Sequence, residues 1–376
     1  MIYRTNDKLQ TKTSLLGFGC MRLPTDQEDK IDDARAMKMI DDAIAAGVNY
    51  FDTAWGYHGE QSEGFVGRAL CSRHPRDSFY LADKLPVWRT GNKEEAEETF
   101  RIQMERMQTD YVDFHLLHSL NKKSFDEIKS NGVIEWQEEK KAQGVFKHIG
   151  FSFHDKPEVL EEILAYKDWD FCQLQINYLD WELYQSKEMY ELANKYNVPI
   201  IVMEPIRGGS LSNPHDDVKN IFRKVRPDLS PSAIALRYVA NLDNILTILS
   251  GMSIEEHVHE NIETISNFEG LNTEEEQMYK DARASFARLP LIPCTSCKYC
   301  DICPAQIEMW ELFSKYNHYI SYNDPKPLVN YVKKHPEEHL PPACILCYAC
   351  EEQCPQGIEI TQEIQRVYAL AQGLTV

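Results

Sequence analysis

The chain is poor in positive charge: 40 Lys plus Arg stand against 59 Asp plus Glu over 376 residues, a formal net charge of −19. An acidic surface repels a phosphate backbone, which excludes nucleic acid as a principal partner. From residue 290 on, six Lys plus Arg face ten Asp plus Glu, so the excess is spread over the chain rather than gathered in a tail. No stretch approaches the roughly 20 apolar residues of a membrane span. The N-terminal MIYRTNDKLQTKTSLLGFG lacks the continuous apolar block of a secretory leader, and a soluble protein of the reducing cytoplasm is expected. The GxGxxG fingerprint of a doubly wound dinucleotide fold is missing. Cysteine is also scarce for the first 290 residues, where only Cys20, Cys71 and Cys172 occur, in apolar contexts that suit core or site-lining thiols. The other eight fall between residues 294 and 354, and a reducing compartment argues against disulfides as their use.

What is present up to about residue 255 is an alternation of short apolar, β-rich runs with longer helical stretches, the texture of repeated βα units. Eight runs qualify as strands: SLLGFGCM, NYFDTA, SFYLADKL, YVDFHLLH, HIGFSF, FCQLQINYL, PIIVMEPI and ILTILSGM. Between the first two, DDARAMKMIDDAIAAG places Met37, Ile40 and Ile44 on one helical face and stops at Gly47. Eight strands with intervening helices over some 250 residues predict a closed (β/α)8 TIM barrel spanning 1–289. Several strands end in a polar residue: Asp52, Lys84, His118, Ser152, Asn177, Glu204 and Ser250. Such ends converge on the carboxyl mouth of a barrel, where buried polar groups carry a free-energy cost that a functional site explains.

After DARASFARLPLIPC the texture changes, and 290–376 is expected to form a separate, small, mainly helical domain with helices in QIEMWELFSKYNHYI and KPLVNYVKKH. Cys294, Cys297, Cys300 and Cys303 are spaced CxxCxxCxxCP, and Cys344, Cys347, Cys350 and Cys354 are spaced CxxCxxCxxxCP. Three cysteines at successive spacings of three wrap one iron–sulfur cube and leave its fourth corner to a distant thiolate. Paired CxxC motifs also bind structural zinc, although zinc needs neither the third cysteine nor the repeated Cys-Pro.

Both runs resemble the bacterial ferredoxin pattern, in which the cysteine before proline reaches across to the other cluster. That resemblance implies two 4Fe-4S clusters, one held by Cys294, Cys297, Cys300 and Cys354, the other by Cys344, Cys347, Cys350 and Cys303. The first run is one residue shorter than the usual pattern before its last cysteine.

Asp52 ends one strand and Tyr57 follows in the loop NYFDTAWGYHGE, while Lys84 comes from YLADKL and His118 from DFHLLH. Between about residues 15 and 265 the chain resembles the aldo/keto reductases, whose catalytic Asp, Tyr, Lys and His occur in this order on successive βα loops. Carbonyl reduction needs a hydride on carbon and a proton on the developing alkoxide, so a general acid must lie near the oxygen. Tyr57 is the expected acid, Lys84 is expected to lower its pKa, Asp52 to hold Lys84, and His118 to orient or polarise the carbonyl.

The resemblance also implies an NADP or NAD site. Ser152 and Gln173 match positions that bind the nicotinamide carboxamide, with Phe153 where many relatives have asparagine, and Met203 falls where many relatives stack a tyrosine. Arg207, Gly208, Gly209 and Leu211 match the diphosphate loop. The segment SGMSIEEHVHEN supplies Ser250, Gly251, Met252, His257 and Asn261 toward the adenosine, without the lysine and arginine of NADP-preferring relatives. Weak discrimination or a lean toward NADH is expected.

Barrels of this kind followed by a ferredoxin-like tail form a branch of the family that the chain resembles along nearly its whole length. Three roles are compatible with that resemblance. The chain is a reductase of a small carbonyl substrate with clusters that staple the tail, an electron carrier that couples the barrel to an external ferredoxin or flavoprotein as redox partner, or a nicotinamide-sensing binding module.

Overall fold

Short apolar segments rich in Leu, Ile, Val and Phe form the barrel because residues buried on both faces of a parallel strand read as continuous apolar runs. In the computed structural model, which describes residues 1–374, ten strands occur in chain order. They are β1 (Tyr3–Asn6), β2 (Thr11–Ser14), β3 (Leu16–Gly19), β4 (Tyr50–Asp52), β5 (Tyr80–Leu85), β6 (Val112–Leu120), β7 (Phe146–Phe153), β8 (Phe171–Gln175), β9 (Ile200–Met203) and β10 (Ile245–Ser250). The last eight close into a barrel in the order β10-β3-β4-β5-β6-β7-β8-β9, every neighbouring pair parallel. Six lie within the segments expected from the sequence; β6 runs two residues past YVDFHLLH to Leu120, and β7 starts two residues before HIGFSF at Phe146.

The first two strands were not expected. They form an antiparallel hairpin whose Leu9 is buried with Tyr50, Ala82, Phe114, Phe171, Ile201 and Leu246. These partners lie on the barrel strands, and Thr13 Oγ donates a hydrogen bond to Leu246 O at 2.6 Å at the start of β10. The hairpin thereby caps the amino-terminal end of the barrel, opposite the mouth.

The helix Asp33–Ala45 is capped by Asp32, whose side chain accepts from Arg35 N, and ends before Gly47 at φ 91°. It buries Ala36, Met39, Ile40 and Ala43, so its inward face is rotated from the expected one and Met37 and Ile44 are only half-buried.

By contact the chain divides into two compact units, one made of Met1–Pro205 and Ala233–Leu271, the other of Ile206–Ser232 and the chain from Asn272 onward. In the second unit the helices Met309–Tyr322, Lys326–Lys334 and Ile360–Gly373 share a core of Leu312, Phe313, Tyr316, Leu328, Ile364 and Val367. The first two answer to the expected helices, and the third was not anticipated. Asn317 accepts from Ile292 N at 2.9 Å and donates to Ile292 O at 2.8 Å, pinning the approach to the first cysteine run. Among the described residues no helix is long and apolar enough to cross a membrane.

Candidate active site and cysteine cavities

Period-two geometry sends alternate side chains of a strand to opposite faces, and at a strand's carboxyl end an inward residue projects into the barrel mouth. Asp52 closes β4, Lys84 lies at the end of β5 and His118 near the end of β6, while Tyr57 comes from the loop after β4. The structure brings all four together. Lys84 Nζ donates to Asp52 Oδ1 at 2.5 Å, to Thr53 O at 2.9 Å and to Tyr57 Oη at 3.2 Å. The Tyr57 and His118 rings meet edge to face with centroids 6.1 Å apart. Lys84 is 0% exposed, Asp52 and His118 3% and Tyr57 7%, so the ammonium is held by three oxygens in a setting that exposes little of it to water. An ammonium is tolerated there because its charge is paired and its donors are used.

Burial sets the protonation states. It pushes the Tyr57 phenol well above its ordinary value, and the carboxylates of Asp52, Glu204 and Asp83 push in the same direction. This departs from the expectation that Lys84 lowers it: desolvation of a phenolate outweighs an ammonium already matched by Asp52. Asp52 is itself raised by burial, with Lys84 opposing. His118 is pushed well below its ordinary value by burial first, then by Lys84 and His154. The site at neutral pH holds a protonated phenol beside a neutral imidazole.

Ser152 and Gln173 face each other in register on β7 and β8. Both are buried. Ser152 Oγ accepts from Ser119 N at 2.8 Å, and Gln173 Nε2 contacts Met203 Sδ at 3.5 Å. Gln173 Oε1 is a buried acceptor without a hydrogen-bond partner, which suits the amide N–H of a carboxamide. On β10 and after it, Ser250 and Met252 are buried and Gly251 and His257 exposed. Asn261 Nδ2 donates to Ser250 Oγ at 3.0 Å. Arg207, Gly208, Gly209 and Leu211 belong by contact to the second unit, where Leu211 is fully buried and the glycines take φ of 62° and 92°. Asn177, after another strand, has its side chain fully engaged: its Oδ1 accepts from Leu179 N and Asp180 N, and its Nδ2 donates to Asp180 Oδ2 and Glu204 O.

The sequence reading missed three features. Trp88, 49% exposed, lies against His118 with ring centroids 5.1 Å apart, an aromatic wall beside the imidazole. Trp55 is buried nearby under the guanidinium groups of Arg89 and Arg106. Arg35, from the helix Asp33–Ala45, forms an ion pair with Glu255 at 2.9 Å and holds that carboxyl down at about 2, so the segment without its own cations has one beside it. Only tertiary structure joins these residues. An aromatic in the loop after the strand carrying Lys84 was the one cue in the sequence.

In the second unit the cysteines divide between two cavities. One is lined by Cys294, Cys297, Cys300 and Cys354, with Trp310, Phe313 and Ile360. The other is lined by Cys303, Cys344, Cys347 and Cys350, with Ile307 and Ile364. The cysteines expected to share a cluster line the same cavity, including the crossing of Cys303 and Cys354. No disulfide joins any of the cysteines among the described residues. Four sulfurs per cavity and an apolar surround suit a cubane held by thiolates. Glu308, Glu311 and His335 also approach one another, but Lys315 pairs with Glu311 at 3.3 Å.

The aldo/keto reductase family model matches residues 15–283, and a 4Fe-4S dicluster domain matches 293–359. An uncharacterized oxidoreductase of Bacillus subtilis, YqkF, is 27% identical over 292 residues, 70% of this chain and 90% of that protein. The NADH-specific methylglyoxal reductase of Escherichia coli is 23% identical over 268 residues, 60% of this chain and 81% of that one. Among solved structures, the holo form of the aldo-keto reductase AKR11C1 from Bacillus halodurans is 27% identical, with a TM-score of 0.64 over 75% of this chain and 96% of that one. With its closed barrel and its cysteine-rich C-terminal region, the chain belongs to the aldo/keto reductase family and carries a 4Fe-4S dicluster domain.

Proposed function

We propose that the barrel reduces an aldehyde or ketone to an alcohol with NADH or NADPH as donor, Tyr57 acting as general acid. The observation that carries this reading is the buried hydrogen-bonded array in which Lys84 joins Asp52 to Tyr57 beside His118. The nicotinamide, when bound, supplies the hydride; Gln173, Ser152 and Met203 would hold its carboxamide and ring.

Burial keeps the Tyr57 proton in place until a stronger base forms nearby, and the alkoxide produced by hydride addition is that base. Once the proton leaves, Lys84 at 3.2 Å stabilises the phenolate, and Asp52 keeps the ammonium aimed. Neutral His118 donates a hydrogen bond to the carbonyl oxygen without competing for the proton. Replacing Tyr57 by Phe is expected to lower carbonyl reduction by about 10²–10⁴-fold while nucleotide binding, read by fluorescence, is retained. Unchanged turnover would remove Tyr57 as the acid.

The two cysteine sets are read as ligands of two 4Fe-4S clusters. About eight iron and eight inorganic sulfide per chain is the expected content of the anaerobically purified protein, and stoichiometric zinc in their place would contradict it. Electron exchange with a soluble partner is favoured as a second reading by one observation. Cys347 is exposed, and its chain neighbours Ile345, Leu346 and Tyr348 expose 69%, 53% and 51% of their surface. A one-electron carrier docked there would approach the second cluster closely. An anaerobic NADH titration should then bleach the clusters as nicotinamide is oxidised, and clusters that stay oxidised would count against this second reading.

A further inference from the structure

Period-two geometry turns Asp83 to the face of β5 opposite its neighbour Lys84, toward the helices Ser62–Val66 and Lys93–Met107. Three side chains that the tetrad does not use meet there. Gln103 Nε2, from the second helix, lies 2.7 Å from Asp83 Oδ2, 2.8 Å from Glu63 Oε1 on the first helix and 3.0 Å from Lys84 O. Asp83, Glu63 and Gln103 are all 0% exposed. Beside them the two helical segments are in backbone contact, since a Cβ on Gly67 would lie 2.3 Å from Arg106 O, a distance only glycine allows.

The donors do not suffice for these acceptors. The Gln103 amide carries two hydrogens and faces three oxygens, while its own Oε1 is a buried acceptor without a partner. The cations nearby are already engaged: Arg106 pairs with Glu63 at 2.8 Å and with Glu60 at 2.7 Å, and Lys84 pairs with Asp52 on the other face of the strand. Asp83 is thus a second buried carboxyl with no cation of its own, and a buried charge is tolerated only where it is paired. Burial, then Glu63, pushes the Asp83 carboxyl well above its usual range. Glu63 is raised by burial too, with Arg106 and Gln103 pulling it back.

We propose that Asp83 and Glu63 hold one proton between them, resident on Asp83, and that this acid–carboxylate pair positions Lys84 through Gln103. The proton supplies the donor that the cluster lacks and leaves Arg106 one buried carboxylate to neutralise. The helix Ser62–Val66 follows the loop that carries Tyr57, so the Gln103 amide joins the carbonyl of Lys84 to the element just downstream of Tyr57. A neutral Asp83 also removes one of the carboxylate charges that raise the Tyr57 phenol. The positioning role rests on the reductase reading above, whereas the shared proton stands independently of it.

The test is infrared spectroscopy of the full-length protein grown with aspartate carrying carbon-13 in the side-chain carboxyl. At pH 7 the label-shifted C=O stretch of a protonated carboxylic acid is expected, and Asp83→Asn is expected to remove it. Glu63→Gln is expected to make the band disappear at a lower pH than in the unmodified protein, because the charge that opposes ionisation of Asp83 is gone. Positioning is read by turnover of NADH with methylglyoxal. Asp83→Ala is expected to lose most of kcat with little change in KM, Asp83→Asn to restore most of it, and Gln103→Met to repeat the loss should Asp83→Ala not fold. A spectrum from which Asp83→Asn removes no such band would overturn the proposal, and so would a band that vanishes at the same pH in Glu63→Gln. Full kcat in Asp83→Ala and Gln103→Met would overturn the positioning role. The expected band in a protein that reduces no carbonyl would overturn the reductase reading and leave the shared proton standing.

Discussion

At the scale of single residues, the chain keeps several ionisable groups in their neutral forms by burying them. His118 is held well below its ordinary value, His154 at about 4 and His115 at about 3, each with burial as the leading cause. His115 is stacked on Phe146 at 3.8 Å, and its Nδ1 lies 2.9 Å from Gln137 Nε2. These histidines bind protons readily only when unfolded, where the ordinary pKa is about 6.5. Stability is therefore complete above that value and falls as pH drops from about 6.5 toward the folded values, on the order of 1 kcal/mol per histidine per pH unit. Urea midpoints should decrease from pH 7 to pH 5, and replacing His115 by Gln or Phe should flatten the decrease. A decrease as steep in the variant would show that His115 takes no part. In the proposed reaction the raised Tyr57 value bears on catalysis instead, so carbonyl reduction should hold level through neutral pH and decline only in strongly alkaline solution as the phenol ionises.

Among elements, the amino-terminal hairpin makes the clearest test of what supports the barrel. Leu9 is 5% exposed and packs with residues from several barrel strands, so Leu9→Ala should cost about 2–4 kcal/mol in chemical denaturation. The tetrad lies at the other end of the barrel, and turnover of the folded variant should be unchanged. A variant as stable as the parent would mean that the hairpin only decorates the barrel. The eight barrel strands were legible in the sequence because doubly buried strands read as apolar runs, Asp52, Lys84 and His118 because they end such runs, and Tyr57 through the resemblance to the aldo/keto reductases. The hairpin was not, since YRTN and TKTS are polar segments: the residues TKTS buries, Thr11, Thr13 and Ser14, are not apolar, and the one apolar anchor, Leu9, lies in the turn between the strands. The rotated face of Asp33–Ala45 was misread because alanine carries little periodic contrast. Trp88 against His118 and Arg35 against Glu255 depend on through-space contacts, which no sequence period encodes.

On the proposed reading, the whole molecule combines a two-electron site and a cysteine-rich domain suited to one-electron centres. A hydride donor and a cubane do not exchange electrons in equal packets, and the usual converter is a flavin. The reaction proposed for the tetrad needs no such converter: in that proposal Tyr57, Lys84, Asp52 and His118 handle the proton while the hydride moves directly. That claim is tested most directly by isotope. The iron-replete protein would turn over NADH stereospecifically deuterated at nicotinamide C4, on either face in separate runs, with methylglyoxal and 4-nitrobenzaldehyde as probe carbonyls in ordinary water. The account predicts deuterium on the carbinol carbon of the alcohol from one of the two labelled forms, equally when the iron has been removed from protein that remains folded. Alcohol whose new C–H hydrogen comes from water with both labelled forms, formed only while iron is present, would contradict it.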